Sequence, residues 1–193
     1  FEQAEKDYNI QLKIQPQDAT SHYELGVSSF SLKKWKETCK HIEKAIELDY
    51  TPKASYLILA RALANQNRNI KAIVAYEDHL TVTPKDSIAR IEQAYCYQEN
   101  NQHGLATKGF LSLKNKPDSI QYLIAQNYFE AKQFEKALSY YAILEPEKSS
   151  NSLYFEIANC HYNLNAYEDA LTYYQKSQTI GYAPIKIEVQ IAF

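Results

Sequence analysis

The chain has 193 residues, 45% of them hydrophobic, with 4 glycines and a formal net charge of −2. That balance supplies no long-range field for nucleic acid, and no run of Lys and Arg forms a basic stripe. No apolar stretch approaches the roughly 18–20 residues needed to cross a bilayer, and three widely spaced cysteines offer neither a paired disulfide framework nor a zinc-like CxxC.

The first predicted element covers residues 1–18, where Ala4 and Tyr8 sit four apart on one face and Pro16 follows. The next stretch, Ala19 to Pro52, sets the pattern for the chain. Its first half places His22, Leu25, Gly26 and Ser29 on one helical stripe. A polar turn follows at Ser31–Lys34. Its second half places Thr38, Ile42 and Ala45 on one face. These are the spacings of amphipathic helices of period 3.6. Two such helices joined by a tight turn leave apolar stripes that only a neighbouring unit can bury.

The unit then recurs. The small residue of its first helix returns as Gly26, Ala60, Ala94, Ala125, Ala158 and Ala192. That of its second helix returns as Ala4, Thr38, Ala72, Ala106, Ala137 and Ala170. Four residues later stands a large apolar group: Tyr8, Ile42, Tyr76, Phe110, Tyr141 and Tyr174. All six prolines close units, as expected of a residue that cannot continue a helix. Five repeats are therefore expected at 19–52, 53–86, 87–117, 118–150 and 151–184. Residues 1–18 read as the second helix of a truncated repeat, and 185–193 as the start of another. The chain reads as a window of a longer protein, with Phe1, Tyr8, Ile187 and Ile191 as apolar end surfaces suited to self-association.

Asp86, Asp118 and Asn151 stand where repeats begin and are expected to cap helices. Asp118 with Gln121 has capping-box spacing. The third repeat departs from the pattern: Gln93 replaces a Leu or Ile, Arg90 replaces a bulky apolar group, and Gly109 falls inside the second helix. Either the flanking repeats tolerate this drift, or it marks a hinge between the third and fourth repeats.

The pattern resembles the tetratricopeptide repeat family, most closely at Tyr56, Leu59, Ala60, Leu63, Ala72, Tyr76 and Pro84. The resemblance implies an all-α, right-handed α-solenoid of stacked helix-turn-helix repeats, with the first helices lining a concave groove that holds a partner segment. Carried over position by position, it implies groove residues Tyr23, Glu24 and Phe30; Arg61; Glu92 and Tyr95; Tyr122, Gln126 and Phe129; Phe155, Glu156, Asn159 and Tyr162. Aromatic anchors with recurring acids suit an apolar partner of some basic character, and several of the rings are expected to pack between repeats instead. Only Arg61 and Asn159 resemble the Lys/Asn clamp that binds acidic chaperone tails, and they lie three repeats apart, so that ligand is not implied.

The five histidines are scattered in sequence, no HExxH appears, and no glycine-rich loop or nucleophile elbow is present. The expectation is a non-enzymatic, cytoplasmic interaction scaffold without metal or cofactor. It would bind a protein or peptide, or another domain of its parent chain, and neither nucleic acid nor membrane. The alternative is an accessory module of a larger enzyme, such as a glycan-polymerising or envelope-assembly enzyme, holding polysaccharide or substrate.

Overall fold

The computed structural model describes residues 1–144 and 151–179. The chain divides into two compact units, Phe1–Gln102 and His103–Phe193. The first holds α1 (Glu2–Ile14), α2 (Ala19–Ser31), α3 (Trp35–Glu47), α4 (Ser55–Ala64), α5 (Asn69–Val82) and α6 (Ser87–Glu99). The second holds α7 (His103–Leu111), α8 (Asp118–Glu130), α9 (Phe134–Leu144), α10 (Asn151–Asn163) and α11 (Tyr167–Thr179). Among the described residues there is no strand. The division falls between the two helices of the third repeat.

Each unit is helix packed on helix. In the first, α2 lies against α3 and α4 against α5, with α3 against α4 and α5 against α6 joining successive pairs. In the second, α8 pairs with α9 and α10 with α11, and α9 lies against α10. The small–large alternation explains the close approach. Ala60, Ala72, Ala125, Ala137 and Ala158 are fully buried, and Ile42, Tyr76, Phe110, Tyr141 and Tyr174 fill the space beside such small residues. Interiors packed this densely respond to single methyl groups. The thiols of Cys39, Cys96 and Cys160 are unpaired and buried, as small packing residues. Helix α1 buries no residue; Phe1 is exposed and Tyr8 half-buried. Ile187 and Ile191 lie outside the described residues.

The turn between first and second helix is built the same way five times. Lys33, Asn67, Asn101, Lys132 and Asn165 adopt φ of 57–61°. The next residue then donates its N–H to a carbonyl five positions back: Lys34 to Ser29, Arg68 to Leu63, Gln102 to Tyr97, Gln133 to Tyr128 and Ala166 to His161. This is the 6→1 bond that closes a helix through a left-handed residue. Glycine usually fills that place, because a Cβ there costs about 1–2 kcal/mol. Asn tolerates the conformation; Lys has no such compensation. Replacing exposed Lys33 or Lys132 by Gly is expected to raise stability by about 0.5–1 kcal/mol, after the entropy cost of Gly is subtracted. Thermal melts of the two variants, with Asn67→Gly as a smaller-effect control, test this; a lowered melting temperature in both Lys variants would refute it.

Helix starts follow the expectation in part. Asp86 caps α6, accepting from the backbone N–H of Ile88 and Ala89 at 3.1 and 3.0 Å. Asp18, which the sequence reading passed over, caps α2 through the N–H of Ser21. Asp118 is not the cap of α8: the cap position is Pro117, without a side-chain bond, and Asp118 is the first helical residue. The capping box does not form because Asp118 is already helical: the cap position has moved back to Pro117, whose ring offers no side-chain acceptor, and Gln121 stands one place beyond N3. Gln121 instead donates to the carbonyl of Lys116 at 3.2 Å. The acid of Asp118 still stands at the positive end of the helix dipole. Asn151 opens α10, but its side chain lies outside the described residues. In the third repeat, buried Gln93 donates to the Ile73 carbonyl at 3.3 Å. Arg90 donates to the Pro84 carbonyl at 2.7 Å. Gly109 lies in α7, a helix of 9 residues.

Candidate binding surface

The residues placed on the first-helix faces are described unit by unit. In the first unit, Tyr23 meets the ring of Tyr50 edge-on, centroids 5.7 Å apart, and Phe30 meets Trp35 at 5.5 Å. Both are half-buried against the unit's core, and Glu24 is half-buried beside them. Arg61 Nε donates to Glu92 Oε2 at 2.8 Å, and the Tyr76 hydroxyl donates to the same oxygen at 3.3 Å. Burial, then the negative charge of Glu92, pushes the Tyr76 phenol up from its ordinary value. Tyr95 points outward, 41% exposed.

The second unit repeats the arrangement. The hydroxyls of Tyr122 and Tyr141 donate to the two oxygens of Glu156, and their rings stand 5.9 Å apart. Burial, reinforced by the bond to Glu156, pushes the Tyr122 phenol up to about 12, and Gln126 and Ser152 also hydrogen-bond it. Tyr141 is raised too, by burial first and Glu156 second. Phe129 packs edge-on against Phe134 at 5.4 Å, and Phe155 against Tyr174 at 5.7 Å. The Tyr174 hydroxyl donates to Asn159 Oδ1 at 2.7 Å. Tyr162 meets Tyr167 at 5.7 Å and is 40% exposed.

One motif therefore occurs in both units. A Glu near the middle of a first helix accepts from the buried Tyr of the preceding second helix and from a donor on the preceding first helix. These ties bind the second repeat to the third and the fourth to the fifth through charge-assisted hydrogen bonds. Of the recurring acids, Glu92 and Glu156 accept hydrogen bonds from within the fold, and Glu24 is half-buried. Most of the ring residues, Tyr162 included, pack against their own turns or cores; Tyr95 and Tyr162 are the most exposed aromatics of the set, at 41% and 40%.

Two contacts had no sequence signal beyond the repeat register. His22 and His41 meet across α2 and α3, Nδ1 to Nδ1 at 3.0 Å. Buried His79, on α5, joins Asp86 and Thr83 through Nε2 at 3.0 and 2.8 Å. The bonds from the Ala89 amide and from His79 hold the Asp86 carboxyl below its usual range. Among the described residues no group of three or more His, Cys, Asp or Glu is placed to hold a metal ion, and no helix is long and apolar enough to cross a membrane.

Comparison with known proteins agrees with this architecture. Residues 122–182 match the family model described as tetratricopeptide repeat. No curated protein matches the sequence. Among solved structures, YrrB, described as "a TPR protein with an unusual peptide-binding site", is similar with a TM-score of 0.69 at 14% identity, over 90% of this chain and 92% of that one. MamA of AMB-1 is similar at 0.70 and 13% identity, over 89% of this chain and 96% of that one. MamA from Desulfovibrio magneticus RS-1 is similar at 0.65 and 14%, over 84% and 94%. Likeness at this identity establishes an all-α solenoid of helix-turn-helix repeats.

Proposed function

We propose that this chain, which belongs to the tetratricopeptide-repeat family, is a non-enzymatic scaffold that holds a peptide or protein segment on its first-helix faces. The observation that carries the reading is the exposure of one tyrosine on a first helix of each unit, Tyr95 at 41% and Tyr162 at 40%. Tyrosine offers large contact area at low entropy cost and a hydroxyl for a partner's backbone. Because Arg61, Glu92 and Glu156 are already paired, the segment recognised is apolar and hydrogen-bonding rather than strongly charged. The peptide-binding site in the description of YrrB supports the class of ligand. A cytoplasmic location belongs to the same reading, supported by three free, buried thiols.

The test is selection of binding peptides from a displayed library on the purified chain, followed by titration of the best binder. Tyr95→Ala or Tyr162→Ala is expected to weaken binding about tenfold or more, and the melting temperature of each variant is measured alongside to show that the fold is kept. Unchanged affinity in both variants would remove the reading. The accessory-module alternative draws on the adjoining rings of Tyr162 and Tyr167, both exposed, which could stack on a sugar. Competition by oligosaccharides but not by the selected peptides would favour it.

A further inference from the structure

A groove of about 520 Å³ lies along α3, and its charges are not used by the scaffold reading. Lys36, Lys40 and Lys44 stand four residues apart on that helix, so the helical period brings them to one face. They are not contiguous in sequence, and no basic run announces them. Arg68 joins them from the turn between α4 and α5. The floor is held in place by one amide. Gln66 Nε2 reaches the carbonyls of Trp35 and Ala62 at 3.1 and 3.0 Å and the sulfur of Cys39 at 3.2 Å, which ties the α4–α5 turn to the start of α3.

The charges along the groove are uneven. Among the described residues no carboxylate is bonded to Lys36, Lys40 or Arg68, whereas Lys44 is bonded to Glu47 at 3.1 Å. Glu43 also lines the groove, so the half toward the end of α3 holds both acids. The half at the start of α3 holds only cations, and there the positive end of the helix dipole adds to them. The cap position of α3, Lys34, supplies no side-chain acceptor, and Glu37, in the first turn, does not line the groove. Like charges four apart on a helix repel, and nothing in the fold offsets Lys36 against Lys40.

We propose that this groove binds a short extended peptide segment of another protein, with acidic side chains at one end and neutral or basic ones at the other. The acidic end lies against Lys36, Lys40 and Arg68, and the other end against Glu43 and Glu47. From Lys36 to Glu47 α3 rises about 17 Å, the length of about five extended residues. A uniform polyanion such as nucleic acid suits the first half of the groove and is repelled by the second. The site is separate from the first-helix faces, since neither Arg61 nor Tyr95 lines it. Lys36 and Lys40 are exposed, so the contact is steered by charge and weakened by salt.

A fluorescein-labelled pentapeptide of three glutamates followed by glycine and lysine is titrated with the full chain and followed by polarisation. Saturable binding is expected below about 1 mM. The double substitution Lys36→Glu with Lys40→Glu should weaken it about tenfold or more, as should a rise from about 50 to about 500 mM salt. A second variant gives a gain that misfolding cannot produce: Glu43→Gln with Glu47→Gln should tighten binding of a five-glutamate peptide about threefold or more. No saturable binding, affinity indifferent to the two lysines, no gain in the second variant, or equal affinity for a five-nucleotide single-stranded RNA would each overturn the proposal.

Discussion

Glu156→Ala is expected to destabilise the unit His103–Phe193 by about 2–4 kcal/mol, the largest single effect among the surface-helix acids. The loss comes from the phenols rather than from the charge. Tyr141 is fully buried, and without Glu156 its hydroxyl faces the interior with no acceptor. An unsatisfied buried donor costs about 1–3 kcal/mol. Tyr122 loses its acceptor too, but Gln126 and Ser152 stand by it, so its share is smaller. A double-mutant cycle separates these contributions. Tyr141→Phe alone removes one donor and leaves the carboxylate with Tyr122; added to Glu156→Ala, it should cost little more, giving a coupling of about 1–3 kcal/mol. Denaturant melts of the four proteins read it directly, and additive losses would show that the network is not a unit. Alkali tests the same bonds. A phenol raised when folded contributes stability that is present below its unfolded value of about 10 and is lost as pH rises through about 12. The unmodified protein should therefore lose stability over that range more steeply than Tyr122→Phe.

This network marks where the sequence stops being legible. Helices, turns and the small–large packing follow from periodicity, because burial of a face imposes a repeat on residue type. Ala60 and Tyr76 could be assigned to the core on that ground alone, and both are buried. The polar ties obey a different logic. Glu92 and Glu156 look like surface acids, since periodicity reports which face a residue occupies and not where the end of a long side chain goes. The hint lay in spacing: Tyr76 precedes Glu92 by 16 residues and Tyr141 precedes Glu156 by 15, the distance from a second helix to the next first helix. Tyr8 and Glu24 stand at the same interval, whereas Phe110 before Gln126 has no hydroxyl to donate. The cap at Asp118 failed because the cap position falls one residue earlier, on Pro117, whose side chain has no oxygen to accept an N–H. The two histidines fall at unlike positions of two helices, and only the pairing of α2 with α3 brings them together.

Gly26→Ala is expected to destabilise the unit Phe1–Gln102 by about 1–3 kcal/mol, even though Ala gains about 1 kcal/mol over Gly in a helix interior. A Cβ at this place would stand 2.6 Å from Ile42 Cδ1, 2.7 Å from Cγ1 and 3.3 Å from the Ile42 backbone nitrogen. The terminal methyl can rotate away, but Cγ1 moves only if Ile42 leaves the χ1 rotamer that a helix strongly favours for a β-branched residue, and the backbone moves only with the helix. In the other repeats the same place holds Ala60, Ala94, Ala125 and Ala158, and the residue 16 positions on is aromatic: Tyr76, Phe110, Tyr141 and Tyr174. An aromatic side chain is unbranched at Cβ and carries its bulk as a flat ring, so it leaves room beside its backbone that a β-branched isoleucine fills. Gly with Ile and Ala with an aromatic ring are thus two solutions to one packing problem, and exchanging half of either creates a clash or a void. The double substitution G26A/I42Y adopts the second solution and should recover part of the loss caused by Gly26→Ala alone. Melting of the two variants against the unmodified chain decides the matter. A neutral or stabilising Gly26→Ala would mean that α2 and α3 shift apart at little cost, and that the close approach at Gly26 is not what sets their spacing.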